Sequence, residues 1–193
     1  MKRLFGRICA ILLCAVMVLS FSACVGGSGE TGGSVSAEAA ETVGNGIRVY
    51  FASPMFSQAE KDFNLEIATL LEEYGYEVFL PQRDGIEAAL LEGKSEEELI
   101  RMIFDLDYSE VNNADIVFMN LDGRVPDEGA CVELGIAFAN GKRCYGFKTD
   151  TRSLELGLDL NPLISGCMIK IFKNYDGEQL INEIREYLSE NEL

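Results

Sequence analysis

Strand-like and helix-like runs alternate along most of the chain. Ile47–Ala52 (IRVYFA) follows a Gly-rich stretch and is rich in β-branched and aromatic residues, which predicts a first strand. From Gln58 to Tyr74, apolar residues fall at Phe63, Ile67, Leu70, Leu71 and Tyr74, the stripe of an amphipathic helix, and Gly75 is placed to end it. Glu77–Leu80 predicts a second strand, stopped by Pro81. Ser95-Glu96-Glu97-Glu98 is a capping box, so a helix opens there and runs to about Asn113. Asp115–Leu121 predicts a third strand. A helix capped by Asp127 or a neighbour then ends at Asn140-Gly141. Arg143–Phe147 and Cys167–Phe172 predict the fourth and fifth strands, and Gly177–Glu190 a closing helix with Leu180, Ile184 and Leu188 on one side.

This alternation predicts an α/β fold: a doubly wound, Rossmann-like or flavodoxin-like parallel sheet of five strands in the order 2-1-3-4-5, with helices on both faces. Ligands in such sheets bind beyond the carboxyl ends of the strands, where the strand order reverses. Here that place lies between the first and third strands, so the residues after Ala52 and after Leu121 are the expected walls of a site.

The first residues follow a different pattern. Met1–Arg7 is basic, Ile8–Leu19 is a short apolar run, and Phe21-Ser22-Ala23-Cys24 follows. This predicts a signal peptide over 1–23, resembling a bacterial lipobox, although Leu is usual where Phe21 stands. Cys24 would then be lipidated and would anchor the protein to the extracytoplasmic face of the cell membrane. Residues 24–46, rich in Gly, Ser, Ala and Glu, read as a tether, and residues 47–193 as the globular domain.

Charge and composition narrow the chemistry. The chain has 193 residues and a net charge of −16; without its first 23 residues, 13 Lys+Arg face 32 Asp+Glu, a net of −19. So acidic a body repels phosphate backbones and excludes a nucleic-acid partner. There is no His, which removes the Ser-His-Asp triad, the Cys-His dyad and the HExxH zinc site. The domain's three cysteines, Cys131, Cys144 and Cys167, form no CxxC, so no metal site is indicated. Acid–base work must come from carboxylates, Tyr, Lys or Cys.

Three carboxylates stand out. Asp107 completes the apolar stripe Ile100, Ile103, Phe104, Val111, where a charge is costly unless paired or in a wet cleft. Glu133 lies at the edge of the face formed by Ala130, Leu134, Ala137 and Phe138. Asp127 sits in a Pro-Asp-Glu-Gly turn, where capping alone would explain it. Tyr50, near the end of the first strand, is either a core aromatic or reaches the same cleft. A carboxylate nucleophile steadied by Tyr suits attack at a sugar anomeric carbon, where the transition state is oxocarbenium-like.

These residues resemble the nucleoside 2-deoxyribosyltransferase family over roughly Ile47 to Gly166. The likeness runs through Val49-Tyr50-Phe51-Ala52-Ser53-Pro54-Met55-Phe56-Ser57, Gly75-Tyr76-Glu77-Val78-Phe79-Leu80-Pro81, Asp107 with Ala114-Asp115-Ile116-Val117, and Asp127-Glu128-Gly129-Ala130-Cys131-Val132-Glu133-Leu134-Gly135-Ile136-Ala137. The resemblance implies transfer of 2-deoxyribose between nucleobases through a covalent glycosyl-Glu133, with Tyr50 orienting Glu133 and Asp107 protonating the leaving base. It further implies that Asp127 and Asn161 bind the sugar, the latter in a neighbouring subunit of a homo-oligomer, and that Phe56 and Gln82 line the base pocket. No cofactor is implied; the partners would be a nucleoside and a nucleobase. The alternatives are an N-glycoside hydrolase of nucleosides or deoxynucleoside 5′-monophosphates, and a non-catalytic nucleoside-binding lipoprotein. Met55, where some members carry an aromatic, and the chain end Asn191-Glu192-Leu193, where some end in Tyr, depart from the family.

Overall fold

Side chains along the first strand alternate between two apolar interiors, and this alternation organises the molecule. The computed structural model describes residues 45–152 and 157–193. Its elements are β1 (Arg48–Ala52), α1 (Gln58–Glu73), β2 (Glu77–Phe79), the short α2 (Pro81–Asp84) and α3 (Ala88–Leu91), then α4 (Glu96–Asn113), β3 (Ile116–Asn120) and α5 (Glu128–Ala139). These are followed by β4 (Arg143–Lys148), α6 (Pro162–Cys167), β5 (Lys170–Lys173) and α7 (Gly177–Glu190). The five strands form one sheet in the order β2-β1-β3-β4-β5, and every neighbouring pair is parallel. This is the doubly wound order expected from the sequence.

Val49 and Phe51 of β1, Ile116 and Phe118 of β3, and Tyr145 and Phe147 of β4 point to one face. There they pack against Ile67, Leu70 and Leu71 of α1 and Leu180, Ile184 and Leu188 of α7. Tyr50 and Ala52, Val117 and Met119, and Cys144 point to the other face, against Val111 of α4 and Ala130, Leu134 and Ala137 of α5. The period-2 alternation of each strand thus feeds two cores, as a sheet covered on both sides requires. Each core consists largely of fully buried aliphatic and aromatic side chains, each contributing about 1.5–3 kcal/mol of transfer free energy.

The helix starts follow their sequence signals. Ser57 and Ser95 both form complete capping boxes, with Glu60 and Glu98 respectively. Asp127 caps α5. Three local differences arise. Cys167 closes α6 rather than opening a strand, and β5 starts at Lys170. The apolar run preceding it is helical because Asn161 caps it and Pro162 occupies its first turn, both helix-opening features. The α4 stripe turns inward only at its end: Val111 is buried, whereas Ile100 is 62% exposed and Ile103 and Phe104 are also exposed. Phe138 is likewise exposed, one position beyond the sheet-facing stripe of α5.

The expected signal peptide, Cys24 and tether lie outside the described residues. Among the described residues no helix is long and apolar enough to cross a membrane.

Candidate active site

At the face of the sheet covered by α5, a tyrosine from β1 meets a glutamate from α5. Strand period 2 aims Tyr50 at this face, while helical spacing places Glu133 one turn beyond Ala130. The Tyr50 hydroxyl donates a 2.7 Å hydrogen bond to Oε1 of Glu133. Tyr50 is fully buried and its ring stacks on Phe79 of β2 with centroids 5.7 Å apart. The hydroxyl is therefore fixed by packing, and the glutamate oxygen by the hydroxyl. Among the described residues, no protein group donates a hydrogen bond to the other Glu133 oxygen.

Electrostatics make this carboxyl unusual. Burial pushes the Glu133 pKa up from 4.5 to about 7. The Tyr50 hydrogen bond opposes that rise, and the charges of Asp107 and Asp127 add to it. Asp107 is also raised, again chiefly by burial. The Tyr50 hydroxyl is held protonated by its own burial and by the two carboxylates beside it. Two further acids thus lie close enough to act on Glu133, with no cation among the influences on it. Such an arrangement is costly for folding and makes this a candidate functional site.

Asp107 and Glu133 border an apolar groove between α4 and α5, of about 410 Å³, whose walls include Ile103, Phe104, Tyr108, Val132 and Ile136. This explains the exposed stripe on α4: the positions read as core line a groove, with Asp107 among them. Asp127 takes the capping role that its turn suggested. Its Oδ1 caps α5 by accepting from the Ala130 N–H at 2.8 Å. A side chain at Gly129 would bring its Cβ within 3.1 Å of that oxygen, so glycine keeps the cap uncrowded.

The remaining expected site residues are more loosely connected to this centre. Asn161 caps α6, its Oδ1 accepting from Leu163 at 2.9 Å, and it is exposed. No hydrogen bond among the described residues joins it to Tyr50 or Glu133. Phe56 lies in the loop after β1 and is 81% exposed. Gln82, at the start of α2, uses its amide within the protein: Nε2 donates to the Lys61 carbonyl at 2.7 Å and Oε1 accepts from Asn64 at 3.2 Å. Among the described residues no cluster of three or more acidic or sulfur ligands could hold a metal ion.

Asn64 and Asn120 were missed in the sequence. Both are buried, and they join each other through Asn120 Nδ2 and Asn64 Oδ1 at 2.8 Å. The signal was present for one of them. Asn64 stands three and seven residues before Ile67 and Leu71, a polar residue on an inward stripe just as Asp107 is.

The family model for nucleoside 2-deoxyribosyltransferase matches residues 49–191. Among solved structures, a conserved protein from Enterococcus faecalis V583 is 25% identical, with 72% of this chain and 98% of that chain covered and a TM-score of 0.55. A 2-deoxyribosyltransferase from Bacillus psychrosaccharolyticus is 23% identical, with 73% and 92% covered and a TM-score of 0.59. A 2-desoxiribosyltransferase from Leishmania mexicana is 17% identical, with 76% and 99% covered and a TM-score of 0.52. The likeness to the last two is one of fold. No curated protein matches the chain.

These matches correct one expectation. The family model begins at residue 49, after the segment that suggested an anchor. The E. faecalis and Bacillus proteins match over nearly their whole length to about three quarters of this chain. These matches speak against the lipoprotein, signal-peptide and membrane assignments, with the lipid-anchored extracytoplasmic location and the membrane partner: they rested on an N-terminal pattern outside the span that these proteins match. Asp107, the Asp127-to-Glu133 motif and Tyr50 lie within the matched span, on a sheet of the expected order. The chain belongs to the nucleoside 2-deoxyribosyltransferase family and is an enzyme of that transferase type.

Proposed function

We propose that the domain from about residue 47 moves 2-deoxyribose between nucleobases, with Glu133 as the nucleophile. The observation that carries this reading is the 2.7 Å hydrogen bond from a packed, buried Tyr50 to one oxygen of a buried Glu133, beside two further carboxyls. In the first half-reaction a Glu133 oxygen bonds to C1′ of the nucleoside. The C1′–N bond breaks, its electron pair stays on the base, and protonated Asp107 supplies the proton. The base leaves and a glycosyl ester on Glu133 remains. A second base then attacks C1′, the ester bond breaks back to the Glu133 carboxylate, and the incoming base gives its proton to Asp107.

The surroundings suit each step. The carboxylates of Glu133 and Asp127 stabilise the positive charge that develops on the sugar. Burial of Asp107 favours its neutral form, which a proton donor needs. Tyr50 fixes Glu133 in angle and tempers its basicity. In the reactive form Asp107 carries a proton and Glu133 is ionised. In the free protein burial falls harder on Glu133, so bound substrate must favour transfer of that proton to Asp107.

The test is base exchange. Incubated with deoxyinosine and excess adenine, the domain is expected to form deoxyadenosine, resolved by chromatography, and Glu133→Ala to form none. Free hypoxanthine and deoxyribose in amounts independent of adenine would instead show hydrolysis.

A sugar-binding role for Asp127 makes a separable prediction. Asp127→Asn keeps an oxygen for the Ala130 N–H, so the melting temperature should stay close to that of the parent. Activity should nonetheless fall by about ten-fold or more through loss of a charged hydrogen-bond acceptor for a sugar hydroxyl. Calorimetry and steady-state kinetics on the same preparation check this; equal activity would leave capping as the whole role.

A further inference from the structure

Beyond the carboxylates, the carboxyl edge of the sheet holds a second polar arrangement, centred on Asn64. This residue lies on the sheet-facing side of α1 and is completely buried. Its Nδ2 donates to the Pro54 carbonyl at 2.8 Å and to Oε1 of Gln82 at 3.2 Å. Its Oδ1 accepts from Nδ2 of Asn120 at 2.8 Å. Asn120 in turn accepts from the Asp122 N–H at 2.9 Å. The Asp122 carboxylate accepts from the N–H groups of Thr149 at 2.6 Å and Asp150 at 2.8 Å. One amide therefore ties together the loop after β1, the start of α2 and the end of β3, and the chain of bonds continues to the end of β4.

These are the segments that follow β1, β2 and β3, the strands flanking the point where strand order reverses. Tyr50, Glu133 and Asp127 serve the sugar end of the proposed site from the α5 side. The Asn64 arrangement lies on the α1 side of the same edge and holds the loop that carries Met55 and Phe56. Every polar atom of the Asn64 amide is satisfied, which fixes both its own orientation and the donor–acceptor order of Gln82.

We propose that Asn64 is a positioning residue for the nucleobase: through Gln82 and the Pro54 loop it holds the base end of the site in binding geometry. This rests on the transferase reading above. It makes no contact with the reacting atoms, so its effect falls on base affinity rather than on chemistry at C1′. In a glycosyl-enzyme the incoming base competes with water. A looser base end weakens capture of the base and leaves attack by water untouched, so the ratio of hydrolysis to transfer rises.

The test compares the parent with Asn64→Asp, which keeps size and shape but sets an acceptor against the Pro54 carbonyl and Gln82 Oε1. With deoxyinosine and subsaturating adenine, Asn64→Asp should raise the hydrolysis-to-transfer ratio by about five-fold or more, the effect of about one lost hydrogen bond. A ratio of products does not depend on the fraction of folded enzyme. Ile184→Val, a core change in α7, should lower stability and leave the ratio unchanged. If Asn64→Asp does not fold, Asn64→Ser is read in the same way. An unchanged ratio in a folded Asn64 variant overturns the proposal. If the parent hydrolyses without exchange, the transferase reading fails separately. The Asn64 proposal is then read from the nucleoside KM, expected to rise about five-fold with kcat within about two-fold; an unchanged KM overturns it.

Discussion

Glu133→Gln should abolish turnover and at the same time stabilise the protein at alkaline pH. Loss of a nucleophile is expected to lower kcat by about 10^4-fold or more. The stability effect follows from the raised carboxyl. Glu133 titrates near 4.5 in the unfolded chain and at about 7 in the folded one. Between those values the native state holds more protons than the unfolded state, so wild-type stability falls as pH rises through that window. The gap corresponds to about 3 kcal/mol. Glutamine has no charge to desolvate and keeps an oxygen for the Tyr50 hydroxyl. Glu133→Gln should therefore match wild type near pH 4.5 and exceed it by about 3 kcal/mol at pH 8, roughly 10 °C in melting temperature. Thermal unfolding of both proteins at the two pH values reads this directly. Equal stabilities at pH 8 would mean that Glu133 is not held in a desolvated environment.

Tyr50→Phe should act in a complementary way. The Phe79 stack and the apolar contacts of the ring survive, so the fold should persist. The hydroxyl that orients Glu133 is lost, and kcat should fall by about 10^2-fold, as when a fixed hydrogen-bond donor is removed from an active site. The same hydroxyl holds the Glu133 pKa down against burial. Its removal should shift the acidic limb of kcat/KM, where Glu133 must lose its proton, to higher pH. A pH–rate profile of the variant checks both effects. A lowered rate with an unmoved limb would assign Tyr50 to packing alone.

Much of this was legible in the sequence because the signals were local. Ser95 stands three residues before Glu98 and the expected capping box formed; Ser57 stands in the same relation to Glu60 and forms another. The pattern leaves Tyr50 between core aromatic and cleft, and Glu133 at the edge of its helix face; the structure turns both to the α5 side of the sheet, where they meet. The stripe Ile100, Ile103, Phe104 was read as core because periodicity reports which residues share a face, not what covers that face. Here α5 meets only part of it, and a groove remains. Asn64 was missed because its partners lie 10, 18 and 56 residues away. A hydrogen-bonded hub has no sequence period, and only the polar residue on an apolar stripe hinted at it. The N-terminal pattern suggested an address, but it lies outside the span that the family model and the solved structures match.

The proposed mechanism turns on a covalent bond between Glu133 and the sugar. The most direct measurement is intact mass spectrometry of the protein, quenched in acid after incubation with a 2′-deoxynucleoside and no acceptor base, followed by peptide mapping. A mass increase of one deoxyribosyl group is expected on the peptide carrying Glu133; it should disappear when adenine is added before the quench and be absent from Glu133→Gln. Continued base exchange with the adduct on another residue, or with Glu133→Gln fully active, would contradict it.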